Sequence, residues 1–299
     1  MLNAKVLNAL MRTISSAAEM TAVSREVRRS GKRLGFVPTM GALHQGHLSL
    51  VRTARSQSDV VVVSIFVNPK QFGPTEDFSR YPRTFEQDSA LLQAEKADYI
   101  FAPLVEEMYA PGATSWVTVE EISERLDGRS RPGHFRGVTT VVSKLFNIIQ
   151  PDLAFFGQKD AAQVAIIRKM VSDLNFDVRI VVCPIVREQD GLAMSSRNVY
   201  LTPEQRKQAI VLYRSLMRVQ TLADQGESDA AKLIAAGKQV IGEQPAARLD
   251  YFEIVGNNTL EPVNDIARGA LVAVAAYVGS TRLIDNIVLI GTGRARVGG

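Results

Sequence analysis

At 299 residues the chain is longer than one hydrophobic core ordinarily supports, so it reads as one large domain with an appendage or as two domains. With 46% hydrophobic and 22% charged residues, and no apolar run near the roughly 20 residues of a bilayer span, the composition excludes a membrane-spanning helix and predicts a soluble protein. One cysteine, Cys183, excludes an internal disulfide framework and a cysteine-based metal site, and a net charge of +4 over this length names no anionic partner.

The opening MLNAKVLNALMRTISS carries few charges, a short apolar patch and no clear small-residue cleavage site, so no secretory signal is expected and the chain reads as cytoplasmic. From Leu34 onward, short β-branched runs alternate with longer helical patterns: LGFVPT, HLSLVRTARSQ, VVVVSIFVN, TFEQDSALLQAEK, DYIFAP. The helix GVTTVVSKLFNIIQ, the strand DLAFFG, the helix DAAQVAIIRKMVSDLN and the strand VRIVVCP continue the series. Such alternation predicts βα units in a Rossmann-like, doubly wound parallel sheet, with ligands gathered where the strands end. Cys183, in the last of these strands, is expected to be a small buried hydrophobe.

After Pro184 the texture changes. The loop REQDGLAMSSRN leads into TPEQRKQAIVLYRSLMRVQTLAD, where Thr202, Pro203 and Glu204 suit the N-cap, first position and first turn of a long helix. A further helix around Ser228 to Ile241 and the strand-like runs RLDYFEIV, ALVAVAAYV and TRLIDNIVLI follow, and the terminal GTGRARVGG is expected to fray. The predicted division is a nucleotide-binding α/β domain over residues 1–185 and a smaller α+β lid domain over 186–299.

Four segments carry chemistry. In FVPTMGALHQGH, Met40 to His47 lie between a strand and a helix, so Gly41 and Gly46 allow backbone N–H groups close to a nucleotide while the helix N-terminus faces its phosphates. His44 and His47, one helical turn apart, are placed to donate to phosphate oxygens. A metal pair, with His134 the only other histidine, and a purely structural pair at a helix cap are the alternatives. In SIFVNPKQFGPTEDFSRYPRT, Asn68 and Gln71 are neutral amides at a strand end, suited to orienting a carboxylate that must remain nucleophilic; ordinary loop capping is the plain alternative. Asp88 beyond them suits either magnesium or a helix cap.

The third segment, FFGQKDAAQ, sets Gly157, Gln158, Lys159 and Asp160 at a strand-to-helix corner, with Lys159 a point charge for phosphate and Gln163 one turn further on. The fourth, GLAMSSRN, offers Ser195, Ser196 and Arg197 on a movable loop, or a plain capping turn. A basic run, RSRPGHFR, concentrates Arg129, Arg131, His134 and Arg136 in a loop that suits a phosphate or carboxylate clamp, or is simply solvated.

PTMGALHQGH carries an HxGH signature and resembles the nucleotidyltransferase superfamily, whose fold is shared with class I aminoacyl-tRNA synthetases; MSSRN resembles that superfamily's KMSKS loop with its lysines absent. Together with SIFVNPKQF, YPRT, RPGHFRGV, FFGQKD and GLAMSSRN, in this order and spacing, the chain from Phe36 to Leu201 resembles the pantothenate synthetase family, the pantoate–beta-alanine ligases. Gln158 stands where that family usually has glutamate, residues before Met11 look like an extension, and the last third matches only loosely.

The resemblance implies that pantoate attacks the α-phosphate of magnesium-bound ATP and that beta-alanine then displaces AMP from pantoyl adenylate. It implies His47 as the proton donor and His44 as a phosphate donor, with Lys159 and Arg197 completing the catalytic set. ATP would be surrounded by Met40, Gly41, Ala42, Leu43, His44, Gln45, Gly46, His47, Gly157, Gln158, Lys159, Asp160, Val186, Met194, Ser195, Ser196 and Arg197. Gln71, Gln163 and Asn68 would hold pantoate. Magnesium ligands stay open, and the resemblance implies a homodimer acting on small molecules rather than on nucleic acid or membrane. The rivals are another adenylyltransferase that keeps AMP on its product, and an RNA-binding relative of the synthetase fold, which would need aromatics among its basic residues.

Overall fold

A computed structural model describes residues 11–74 and 76–291. The expectations for the residues before Met11 and for the end of GTGRARVGG lie outside the described residues. Six strands, β1 (Arg12–Ile14), β2 (Leu34–Thr39), β3 (Val60–Ile65), β4 (Tyr99–Phe101), β5 (Leu153–Gly157) and β6 (Arg179–Cys183), form one parallel sheet in the order β1-β4-β3-β2-β5-β6. Helices α1 (Ala17–Arg29), α2 (Gln45–Gln57), α3 (Phe85–Ala94), the short α4 (Val105–Met108) and α5 (Asp127–Ser130), α6 (His134–Ile149) and α7 (Ala161–Asp173) connect the strands.

Both faces of this sheet are covered, which is why β3 reads VVVVSI rather than alternating apolar with polar residues. Along β2 and β3 the side chains still alternate between two cores. Phe36, Val60 and Val62 meet α1, α6 and α7, whereas Val37, Val61 and Val63 meet α2 and Leu92 of α3. Cys183 is buried in the second of these cores, as its strand predicted. The edge strand β1, the helix α1, which is capped by Ser16 accepting the Glu19 N–H, and the short helices α4 and α5 carry no pattern that the sequence reading detects.

The remaining chain forms α8 (Pro203–Ala209), α9 (Val211–Asp224), α10 (Ala230–Gly242) and an antiparallel sheet of β7 (Ala247–Val255), β8 (Ala270–Val278) and β9 (Thr281–Leu289). The long helix predicted after Thr202 starts as expected, with Thr202 and Gln205 forming a reciprocal cap and Pro203 in the first turn, but it divides at Ile210. In β8 the period-two alternation serves two partners. Leu271, Ala273 and Ala275 join the core of the parallel sheet, while Val272, Val274 and Ala276 pack with α9 and α10. The two sheets therefore share apolar contacts.

The chain passes from β2 to β3 on one side and returns to β5 on the other, so β2 and β5 flank the topological switch point where open α/β sheets bind ligands. Their pairing covers only Gly35–Leu153 and Phe36–Ala154. Beyond it Pro38 brings no N–H to extend the ladder, and the strands part into a crevice.

Candidate active site

The loop between β2 and α2 makes one wall of the crevice. Gly41 (φ 80°) and Ala42 (φ 50°) turn it through the left-handed region. Asp88, 1% exposed, fastens this strained turn: its two oxygens accept the Ala42 N–H at 2.9 Å and the Leu43 N–H at 2.8 Å, and Thr84 Oγ1 donates to it at 3.2 Å. Asp88 thus caps a neighbouring loop rather than its own helix, whose N-cap is Thr84.

Helix α2 lacks a Ser, Thr, Asp or Asn cap, and the histidines do that work. His44 Nδ1 accepts the Gly46 N–H at 3.1 Å, and His47 Nδ1 accepts the His44 N–H at 3.3 Å. The HxGH spacing is a capping box built from imidazoles. Gly46 is required because a Cβ there would stand 2.7 Å from His44 Cε1. With each Nδ1 accepting a backbone N–H, each neutral ring carries its proton on Nε2. Burial lowers His44 to about 4, with Lys159 adding to the effect, and burial followed by the charge of His44 lowers His47 to about 3. The pair, with ring centres 4.1 Å apart, presents two neutral N–H donors.

The opposite wall begins at the end of β3. Asn68, 1% exposed, donates from Nδ2 to Gln71 Oε1 (3.0 Å) and to the Gly137 carbonyl (3.1 Å), and its Oδ1 accepts from Tyr109 Oη (2.8 Å) and the Lys70 N–H (3.2 Å). Its side chain is committed to the fold, so its part in the site is to aim Gln71, whose Nε2 lies 3.1 Å from Met40 Sδ. His134 Nδ1 donates to the Gln71 carbonyl at 2.8 Å while its Nε2 accepts from Arg131 at 3.0 Å. Burial, then the neighbouring Arg131 charge, lowers His134 to about 4. Arg131 is paired with Glu76 through two bonds of 2.7 and 2.6 Å, which takes it out of an open anion clamp, whereas Arg129 and Arg136 of the same run are exposed to solvent.

Met40, His44, Gly46, His47, Asn68, Gln71, Gly157, Lys159, Asp160, Gln163, Val186, Met194, Ser195, Ser196 and Arg197 line one cavity of about 220 Å³. It opens through Arg131, Lys159, Gln163 and Arg197 into a cleft of about 590 Å³ walled on its far side by β9. The other expected nucleotide contacts lie off the cavity lining. Gly41 and Ala42 form the turn, Leu43 is in the core, Gln45 accepts from Arg52 at the surface, and the Gln158 side chain points to Asn286.

In the 195–200 loop, Ser195 caps a short turn by accepting the Arg197 N–H, Ser196 Oγ lies 3.2 Å from Tyr81 Oη, and Arg197 Nε and Nη2 each donate to Asp77 at 2.9 Å. Burial opposes ionisation of Asp77, but the bonds and charge of Arg197 hold its carboxyl below the ordinary value. Tyr81, Asp77 and Asn286 were not singled out in the sequence; Tyr81 and Asp77 lie in the very segment that supplied Asn68 and Gln71, and only folding brings them onto the 195–200 loop. Among the described residues no three His, Cys, Asp or Glu side chains group as a metal cage.

A sequence profile described as pantoate-beta-alanine ligase matches residues 12–288. The pantothenate synthetase of Koribacter versatilis is 65% identical over 286 residues, 96% of this chain and 98% of the relative, and that of Thermotoga neapolitana is 58% identical over 93% and 100%. The crystal structure of the Thermus thermophilus pantothenate synthetase, 50% identical, superposes with a TM-score of 0.88 over 93% of this chain and 99% of that one. The Francisella tularensis pantoate-beta-alanine ligase, solved with "Beta-gamma ATP" and beta-alanine, is 34% identical with a TM-score of 0.77 over 93% and 97%. With nearly its whole length matched by the profile, by close relatives and by their structures, the chain belongs to the pantoate–beta-alanine ligase family.

Proposed function

We propose that the chain condenses pantoate with beta-alanine in this cavity by way of pantoyl adenylate. The observation that carries the reading is the convergence of two neutral imidazole N–H donors, the amides Gln71 and Gln163, and the cations Lys159 and Arg197 around one crevice. A pantoate carboxylate oxygen attacks the α-phosphorus of ATP, and the bond from that phosphorus to the bridging oxygen of the β-phosphate breaks. Pyrophosphate leaves. The beta-alanine amine then attacks the acyl carbon, loses a proton, and AMP departs with the bond electrons.

No enzyme nucleophile is needed, because the substrates supply both; the protein supplies orientation and charge. Gln71, aimed by Asn68, and Gln163 orient the carboxylate without drawing off its electrons as an arginine fork would. His44 and His47 donate hydrogen bonds to phosphate oxygens as neutral groups, which refines His47 from proton donor to hydrogen-bond donor. Lys159 and Arg197 offset the charge that builds on the leaving phosphates.

The donors present suit magnesium carried in on the nucleotide: phosphate oxygens and water would hold it, with Asp160 the carboxylate at hand, and it would supply charge neutralisation. Asp160 has its nearest cation, Lys159, 3.8 Å away, whereas Asp77 and Glu76 are bound by arginines and Asp88 by backbone. Residues 186–299 act as the lid domain, with the 195–200 loop its closing part. The family resemblance extends the proposal to a homodimer in the cytoplasm; among the described residues no helix is long and apolar enough to cross a membrane.

Exchange of labelled pyrophosphate into ATP tests the reading. Exchange is expected with pantoate alone and absent without it, and His47→Ala lowers it about 10²-fold or more, the usual loss when a preorganised donor is removed. Exchange that requires beta-alanine, or proceeds without pantoate, overturns acid activation.

A further inference from the structure

The corner that carries Lys159 is gripped from the second sheet. Asn286 lies within β9 and is 3% exposed. Its Nδ2 donates to the Gln158 carbonyl and to the Lys159 carbonyl, both at 3.0 Å, while its Oδ1 accepts from Gln158 Nε2 at 3.0 Å. One side-chain amide therefore spends both of its donors and an acceptor on two consecutive residues of the nucleotide-facing turn.

Asn286 is itself immobilised. Its backbone N–H donates to Asp285 Oδ1 at 2.8 Å, and Asp285 is in a two-bond pair with Arg187 (2.6 and 2.9 Å). Arg187 also donates to the Asn286 carbonyl at 3.4 Å and directly follows Val186 on the cavity wall. Asp285 and Asn286 break the alternation of β9: two consecutive residues, both polar, are buried where an amphipathic strand would hide only one.

The turn they hold has little stiffness of its own. Residues 158–160 make a single 3₁₀ turn after Gly157, with no side-chain cap. A lysine reaches its target along four flexible carbons, so the line of its backbone decides where the ammonium arrives. We propose that Asn286 is a positioning residue for adenylation: from the C-terminal sheet it fixes the Gln158–Lys159 backbone so that Lys159 meets the nucleotide phosphates.

The chemistry of the contact explains both residue types. Two carbonyls side by side require two N–H donors on one planar group; aspartate would set oxygens against oxygens, and leucine would leave two buried acceptors unpaired. Gln158, the chain's departure from the family's usual glutamate, gives Asn286 Oδ1 a donor where a carboxylate would face it with a second acceptor.

The inference rests on the reading of Lys159 as a phosphate contact, and a double-mutant cycle on the full-length enzyme separates the two. Pantoate-dependent pyrophosphate exchange is measured at saturating substrates for the wild type, Asn286→Ala, Lys159→Ala and the double variant. Asn286→Ala is expected to lower kcat about 10- to 100-fold, the scale of a small misplacement of a catalytic group. In the Lys159→Ala background the same change costs less than about twofold, because the group it positions is gone.

A wild-type rate for Lys159→Ala overturns the phosphate role of Lys159. An impaired Lys159→Ala whose loss multiplies with that of Asn286→Ala overturns the positioning role and leaves the phosphate role standing, since a merely structural asparagine costs the same in both backgrounds. Should Asn286→Ala not fold, Gln158→Ala, which removes one bond of the set, is run through the same cycle. No loss with Lys159 present, or an equal loss without it, overturns the proposal.

Discussion

His47 holds His44 by the backbone: its Nδ1 accepts the His44 N–H at 3.3 Å, which leaves the His47 proton on the nitrogen that faces the cavity. An imidazolium could not accept there, so the cap and the donor role both require the neutral ring. Burial lowers His44 to about 4 and His47 to about 3. The kcat profile for pyrophosphate exchange is therefore expected to show no acid limb at the ordinary imidazole value of 6.5 and to fall only toward about 4. A fall in rate as the pH rises through 6.5, abolished in His47→Gln, would instead mark a protonated donor.

The same depressed values link acid to unfolding. Unfolded histidines bind protons near 6.5, whereas folded His44 and His134 do so near 4 and His47 near 3. Between those limits the unfolded chain holds more protons, so this stability is full above 6.5 and is lost as the pH falls through the folded values. Each group contributes a slope of at most about 1.4 kcal/mol per pH unit. Urea midpoints are expected to drop from pH 7 to pH 5, and less steeply in His134→Gln; parallel drops in the two proteins would count against burial of a neutral His134.

Asp88 takes a capping role, but toward a neighbouring turn and not toward its own helix. Both of its oxygens accept backbone N–H groups from the strained turn at Ala42 and Leu43. Asp88→Asn turns one of those acceptors into a donor facing a donor, a cost of about 1–3 kcal/mol. The variant is expected to be less stable and to show a raised KM for ATP with an unchanged magnesium requirement. A shifted magnesium midpoint in a titration at saturating ATP would return Asp88 to the metal.

The parallel sheet is readable in the sequence because β2, β3 and β5 are apolar runs buried on both faces, and such runs advertise themselves without partners. β1, three residues long and at the sheet edge, carries too little pattern to be seen, and its pairing with β4 spans a separation no local rule reaches. The site divided along the same line. His44, His47, Gln71 and Lys159 stand where strands end, so position and chemistry coincided. An amide at a strand end suits a ligand contact, but the four hydrogen bonds of Asn68 use all its polar capacity within the fold, one of them on Gln71 Oε1. Asp77, Tyr81 and Asn286 act on partners more than a hundred residues away, and nothing in their local sequence names those partners.

Arg197 gives the last prediction, because its guanidinium is only half used. The Nε and Nη2 edge is gripped by Asp77 at 2.9 Å twice over, while Nη1 makes no hydrogen bond among the described residues and the side chain lines the cavity. Guanidinium geometry allows one edge to be held by a carboxylate while the other meets a phosphate, an arrangement that lysine cannot reproduce. Asp77 then serves to point Arg197 rather than to block it. On this view Asp77→Ala lets the arginine swing, raising the KM for ATP and lowering kcat by about tenfold, the equivalent of about 1.4 kcal/mol, and Arg197→Lys behaves alike. If Asp77 competed with the phosphates, its removal would release the arginine and lower the KM for ATP. Steady-state ATP titrations of the two variants therefore separate a pointing contact from a blocking one by the sign of a single change.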